Sequence, residues 1–142
     1  MSRCRRPGSD PLDLNTLEPG QTLFSRSMAI SADEAALYLS AVGDDAPLYA
    51  EEGVVPPMAL AAMVMAATMR AVELPSGAVH TAQELEFARP VAQGTDLACS
   101  ATIVSNSVRR GTRFLVIEMR GVDRDGPALS ARATIAIDGE ST

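Results

Sequence analysis

The chain has 142 residues and a formal net charge of −6, with 46% apolar and only 4% aromatic residues and no Trp. A single domain of that length buries roughly 68% of its unfolded surface, so its core has to be built from Ala, Val, Leu, Ile and Met. The acidic balance argues against a general nucleic-acid interface, which needs a basic face. Cys4 and Cys99 make no disulfide framework and read as free thiols in a reducing cytoplasm.

Residues 1–20 read as a flexible lead-in, because SRCRRPGSDPLDLNTLEPG carries turn formers and little periodicity. Arg3, Arg5 and Arg6 read there as a solvated tail, and no apolar segment of a signal peptide is visible. A strand is expected over Thr22–Ile30, with Leu23, Phe24, Met28 and Ile30 as its apolar positions. Ser31 followed three residues later by Glu34 is a capping box that starts a helix at Ala32. Gly43 ends that helix in the position glycine favours, just past the last turn.

A loop from Asp44 to Pro56 then leads through Pro56 and Pro57 into a nearly uncharged run of Ala and Met reaching about Val72. Proline is favoured at a helix start, where its missing N–H costs little. The helix spans roughly 24 Å at 1.5 Å per residue. It is too short, and is interrupted by Arg70, for a membrane span. A helix apolar on every side has to be buried on nearly every side, and the only cover available is the set of strands that follows. Asp44 and Tyr49 then fall near the mouth of whatever lies beside the helix.

Leu74-Pro-Ser-Gly77 stops the helix. Four strands are expected after it, over 78–87, 96–108, 112–122 and 127–137. Arg89-Pro90 marks a bend or edge after the first. Asp123-Arg-Asp-Gly126 is a strong hairpin turn and Arg110-Gly111 a fair one. The order is strand, short helix, long helix, four strands. Strands this long, joined by short connections, make a bent antiparallel sheet. The fold class is therefore α+β, one domain over 21–138 with a tail at 139–142. An open sheet has edges to protect, and a dimer that continues the sheet protects them.

This order and several of these residues resemble the MaoC-like family of hotdog-fold (R)-specific enoyl-thioester hydratases and 3-hydroxyacyl dehydratases. The resemblance covers about Gly20 to Asp138. The family's turn G-D-x-N-P-L-H is matched by Gly43-Asp44-Asp45-Ala46-Pro47-Leu48-Tyr49. Its Gly-Met helix opening is matched by Pro57-Met58, and its E-F-x-x-P-V-x-x-G-D pattern by Glu86-Phe87 through Pro90-Val91 to Gly94-Thr95-Asp96. The resemblance implies a bent sheet around a central helix and the addition or removal of water at a 2-enoyl or 3-hydroxyacyl group. It implies a CoA or acyl-carrier-protein thioester as substrate, no cofactor, no metal, and a homodimer or a heterodimer with another hotdog subunit. Charge, the short helix and the free cysteines read together as a cytoplasmic protein that contacts neither nucleic acid nor membrane.

Carried onto this chain, the resemblance makes Asp44 and Tyr49 the catalytic candidates and Asp45, Pro57, Met58 and Met63 the substrate-binding ones. In the family a turn Asp and His hold the water and move the α-proton, and a helix N-terminal amide takes the thioester carbonyl. Here Asp44 persists, Tyr49 stands for the His, Ala46 for the Asn, and Pro57 has no N–H. The turn and helix start thereby resemble the N-terminal, often non-catalytic half of double-hotdog dehydratases, or the substrate-holding subunit of heterodimeric ones. A catalytically silent acyl-binding subunit and a hotdog thioesterase are the alternatives.

The residues themselves leave several roles open. A partly buried Asp44 beside Asp45 would be a raised-pKa base, while both also serve as ordinary turn caps. Tyr49 is a possible donor to water or a carbonyl. His80, the only histidine, reads as a structural residue hydrogen-bonded at a strand entry, or as a relocated catalyst. One His and two distant Cys lack the spacing of a metal site. Met58, Met63, Met65 and Met69 are flexible core packing or the lining of an acyl tunnel. Arg109 and Arg110 are a solvated hairpin end or an anion contact.

Overall fold

The computed structural model describes residues 13–138. Cys4, the Arg3, Arg5 and Arg6 cluster and the tail at 139–142 lie outside them. The elements are β1 (Thr22–Met28), α1 (Ala32–Val42), α2 (Leu48–Glu52), α3 (Pro57–Ala71), β2 (Val79–Phe87), β3 (Leu97–Arg109), β4 (Thr112–Asp123) and β5 (Gly126–Asp138). The five strands form one antiparallel sheet in the order β1-β3-β4-β5-β2, with α3 packed on one face.

Local signals act where the sequence places them. Ser31 Oγ accepts from the Glu34 N–H at 3.1 Å, and Glu34 Oε1 accepts from the Ser31 N–H at 3.2 Å. The reciprocal bonds satisfy two donors that the helix start would leave orphaned. Gly43 ends α1 with φ +73°, in the left-handed conformation that glycine adopts without strain. Arg110 (φ +52°) and Gly111 (φ +80°) close the β3–β4 hairpin, the pair of positive φ values that a two-residue turn needs to match strand twist.

The core is the inward face of the sheet together with one side of α3. Leu97, Ala101, Ile103, Leu115, Ile117, Met119, Leu129, Ala133 and Ile135 pack there against Ala59, Leu60, Val64 and Ala67. Thr68 is also fully buried; its hydroxyl donates to the Val64 carbonyl at 2.8 Å, so the helix itself satisfies the one polar group it buries.

Four expectations change. The helix is buried on one side only: Pro57, Met58, Ala62, Ala66 and Arg70 are exposed, because the sheet curves over one face of α3 and leaves the other uncovered. The stretch between Asp44 and Pro56 contains α2, five residues that are too few for periodicity to reveal and that end at Gly53 with φ +62°. β1 ends at Met28 rather than Ile30, since Ile30 turns its carbonyl to the Gly94 N–H at 2.8 Å. The lead-in is packed from Asp13 onward. Leu14 and Leu17 are buried, and Asn106 Nδ2 donates to both of their carbonyls at 3.0 Å.

The bend at Arg89-Pro90 is an anchor. Arg89 Nε donates to Asp123 Oδ2 at 3.1 Å, and its terminal nitrogens reach Asp123 Oδ1 and the Asp125 and Gly126 carbonyls. The loop after β2 is thus tied to the β4–β5 hairpin. That guanidinium, followed by an Asp125 N–H bond, holds the Asp123 carboxyl below its usual range.

Candidate functional site

The site begins with how α3 is held. The Val55 N–H donates to the Val91 carbonyl and the Gln93 N–H to the Gly53 carbonyl, both at 2.8 Å, with a bridge between Val54 and Ala92. These bonds fix the segment that enters the helix. Pro57 occupies the first turn and contributes no N–H there.

Between the uncovered side of α3 and the far end of the sheet lies a groove of about 290 Å³. Met58, Ala61, Ala62, Val64 and Met65 line it from the helix, His80, Gln83 and Leu85 from β2, Met119, Leu129 and Ala131 from the sheet, and Tyr38 from α1. Small alanines leave the space and flexible thioethers border it. The surface is apolar, with a few polar groups around it, the usual composition of a small-molecule site.

The β2 wall depends on a bulge. In an antiparallel pair, directly opposed residues share a face. His80 stands opposite Ile135, Gln83 opposite Ala133, Leu85 opposite Ala131 and Phe87 opposite Leu129, all partners in the core. His80 and Gln83 are three apart, so a regular strand would send them to opposite faces. The register shifts between His80 and Ala82, which makes Thr81 the extra residue and brings His80 round to the helix side. Thr81 Oγ1 donates to the Thr134 carbonyl at 3.3 Å across the shift.

Of the residues expected to bind or react, Met58 lines the groove and Asp44, Asp45, Tyr49, Pro57 and Met63 do not. Asp44 and Asp45 are exposed rather than partly buried, because the turn stands clear of the sheet. The Asp44 carboxylate accepts from the Ala46 N–H at 3.0 Å, an Asx turn, and its own N–H caps the Leu39 carbonyl at 2.9 Å. Tyr49 is half-buried on α2, and Met63 packs against the core. The His80 imidazole makes no hydrogen bond among the described residues and is exposed at the groove, in contrast to a structural histidine tied down at a strand entry. Sequence reasoning had no means of assigning it, since the bulge that aims it leaves no mark on Val79-His-Thr-Ala-Gln83. Met65, read from the sequence as core packing or the lining of an acyl tunnel, borders the groove.

Away from the groove, Glu118 on the outer face of the sheet pairs with Arg120 and Arg132 at 2.8 and 3.2 Å. Those hydrogen bonds, that of Arg132 first, lower its pKa against a smaller desolvation effect. Cys99 is a buried free thiol, pushed up to about 11 by desolvation and thus poorly suited to act as a nucleophile. No helix among the described residues is long and apolar enough to cross a membrane.

The FAS1-like dehydratase domain region matches residues 19–131. The chain belongs to that family. No curated protein matches the chain. Among solved structures it is similar to the (R)-hydratase from A. caviae involved in PHA biosynthesis, with TM-score 0.68 and 21% identity over 84% of this chain and 96% of that one. It is also similar to the HadBC (3R-hydroxyacyl-ACP dehydratase) complex from Mycobacterium tuberculosis, with TM-score 0.65 and 23% identity over 84% and 96%. A putative MaoC domain protein dehydratase from Chloroflexus aurantiacus gives TM-score 0.73 and 15% identity, over 94% of this chain but 42% of that one. These likenesses establish the hotdog fold of the chain.

Proposed function

We propose that this protein is a hydratase or dehydratase of acyl thioesters carried on CoA or an acyl carrier protein, with the acyl chain lying in the groove beside α3. The observation that carries the reading is the groove itself, open, apolar and bordered by Met58, Ala61, Ala62 and Met65. Each methylene moved from water into such a site contributes about 0.8 kcal/mol, so it favours a chain over a polar metabolite. Family membership and the neighbouring structures, those of an (R)-hydratase and a 3-hydroxyacyl-ACP dehydratase, support the reaction class. Met58 is the candidate for substrate contact, and the reaction belongs to fatty-acid or polyketide metabolism in the cytoplasm.

A second reading, an acyl-holding subunit whose hotdog partner supplies the reactive groups, draws on a specific observation. The Asp44 carboxylate is engaged by the Ala46 N–H in an exposed turn. Two further features support a hotdog partner: the neighbouring HadBC and ChsH1-ChsH2 structures are complexes, and β2 is an edge strand exposed from Val79 to Glu86.

Loss of enoyl-thioester absorbance, followed with the purified chain and a trans-2-enoyl-CoA, tests the reading. Turnover by the chain alone supports the enzyme. Turnover only after adding a second hotdog protein supports the subunit. Thiol release from a saturated acyl-CoA would replace both with a thioesterase.

A further inference from the structure

We propose that His80 is the proton-transferring residue of the groove, a catalytic role carried by β2 rather than by the turn between α1 and α2. The inference rests on the acyl-thioester reading above and goes beyond it in naming the group that acts.

Hydration of a 2-enoyl thioester is served by a side chain that takes a proton from water and returns one to C2. Imidazole does so between about pH 5 and 8, and this chain has one histidine. That residue stands on the groove wall. The bulge at Thr81 turns it from the outer face to the helix side, alongside Gln83 and Leu85. Bulges that re-aim a side chain recur beside active sites. The imidazole makes no hydrogen bond within the chain among the described residues, so both ring nitrogens are free to meet a ligand.

Gln83 complements it. Its Nε2 donates to the Glu84 and Arg132 carbonyls, each at 3.3 Å. Those bonds fix the amide and leave Oε1 as an acceptor on the same wall, able to hold a water. Among the remaining lining residues only Tyr38 carries an ionisable side chain.

The step balances without a cofactor. Neutral imidazole removes a proton from water as the water oxygen bonds to C3. The C2=C3 electron pair moves to C2 and delocalises onto the thioester carbonyl. The imidazolium then delivers its proton to C2, restoring neutral His80, and the net change is addition of one water. Dehydration is the same sequence reversed.

The test uses the full chain, a trans-2-enoyl-CoA for turnover and a saturated acyl-CoA for calorimetric binding, with wild type, His80→Gln and the outer-face control Glu84→Gln. His80→Gln is expected to lower kcat by between about 10²- and 10⁴-fold, the range for a lost general acid–base group. Saturated acyl-CoA binding should stay within threefold, and the control should match wild type. Turnover within threefold of wild type in His80→Gln overturns the proposal. So does a wild type that binds acyl-CoA but does not hydrate it, in which case the acyl-holding reading stands. A wild type that neither binds nor hydrates removes both the proposal and the acyl-thioester reading.

Discussion

The two sides of α3 are made of the same residue types and do different work. On the sheet side, Ala59, Leu60, Val64, Ala67 and Thr68 are buried and close the core. On the other, Met58, Ala61, Ala62 and Met65 border open space, facing a strand exposed along nearly its whole length. Composition alone does not separate these sides, because Ala and Met supply both. What separates them is the curvature of the sheet, which covers only one. A soluble helix without a polar face is therefore an indicator of a second occupant, either a ligand or another chain, and not only of a deep core.

The largest effect that would sharpen the contrast comes from the closed side. Leu60→Ala should cost about 2–5 kcal/mol of unfolding free energy in a denaturant titration, the range for emptying a well-packed core position. Ala62→Phe on the open side should leave stability within about 0.5 kcal/mol, as surface changes do. It should weaken saturated acyl-CoA binding by about 10–50-fold, the equivalent of two or three displaced methylenes. If the two variants instead destabilise alike, the open side is core and the contrast fails.

A smaller effect belongs to the buried Thr68 hydroxyl. Thr68→Val removes a hydroxyl bonded to its own helix and should cost about 1 kcal/mol or less in the same titration, with acyl-CoA binding unchanged. The smallest concerns pH. Arg89 holds the Asp123 carboxyl below its usual range, so the linkage favours folding above the unfolded carboxylate value and is lost as pH falls through the folded one. The stability difference between wild type and Arg89→Met should be full near neutrality and shrink below about pH 4, near the unperturbed carboxylate value. A difference that is flat across that window would show that the ion pair is not what ties the β2 loop to the hairpin.

Much of the fold is legible in the residues themselves. The Ser31/Glu34 capping box, Gly43, the Arg110-Gly111 turn and the alternation of Leu97, Cys99, Ala101 and Ile103 are local devices, and each forms where its chemistry predicts. The E-F-x-x-P-V pattern, with the Gly43–Tyr49 turn, points to the hotdog family. The candidate site is less legible, because it depends on long-range placement. The acidic turn was readable as a motif, but its exposure depends on how far the sheet extends, which no local pattern encodes. Likewise the face that His80 takes depends on one inserted residue at Thr81, in a segment with no glycine or proline to announce a bulge. Arg89 was visible as a bend, yet its partner Asp123 lies 34 positions away.

The most direct test of the account is methyl NMR of the Met, Leu and Ala side chains while the full chain is titrated with a saturated acyl-CoA. Saturable shifts concentrated at Met58, Ala61, Ala62, Met65 and Leu85, with Leu60 and Leu115 little changed, are the expected result. Shifts confined to residues away from the uncovered side of α3, or none at concentrations where the thioester is soluble, would contradict it.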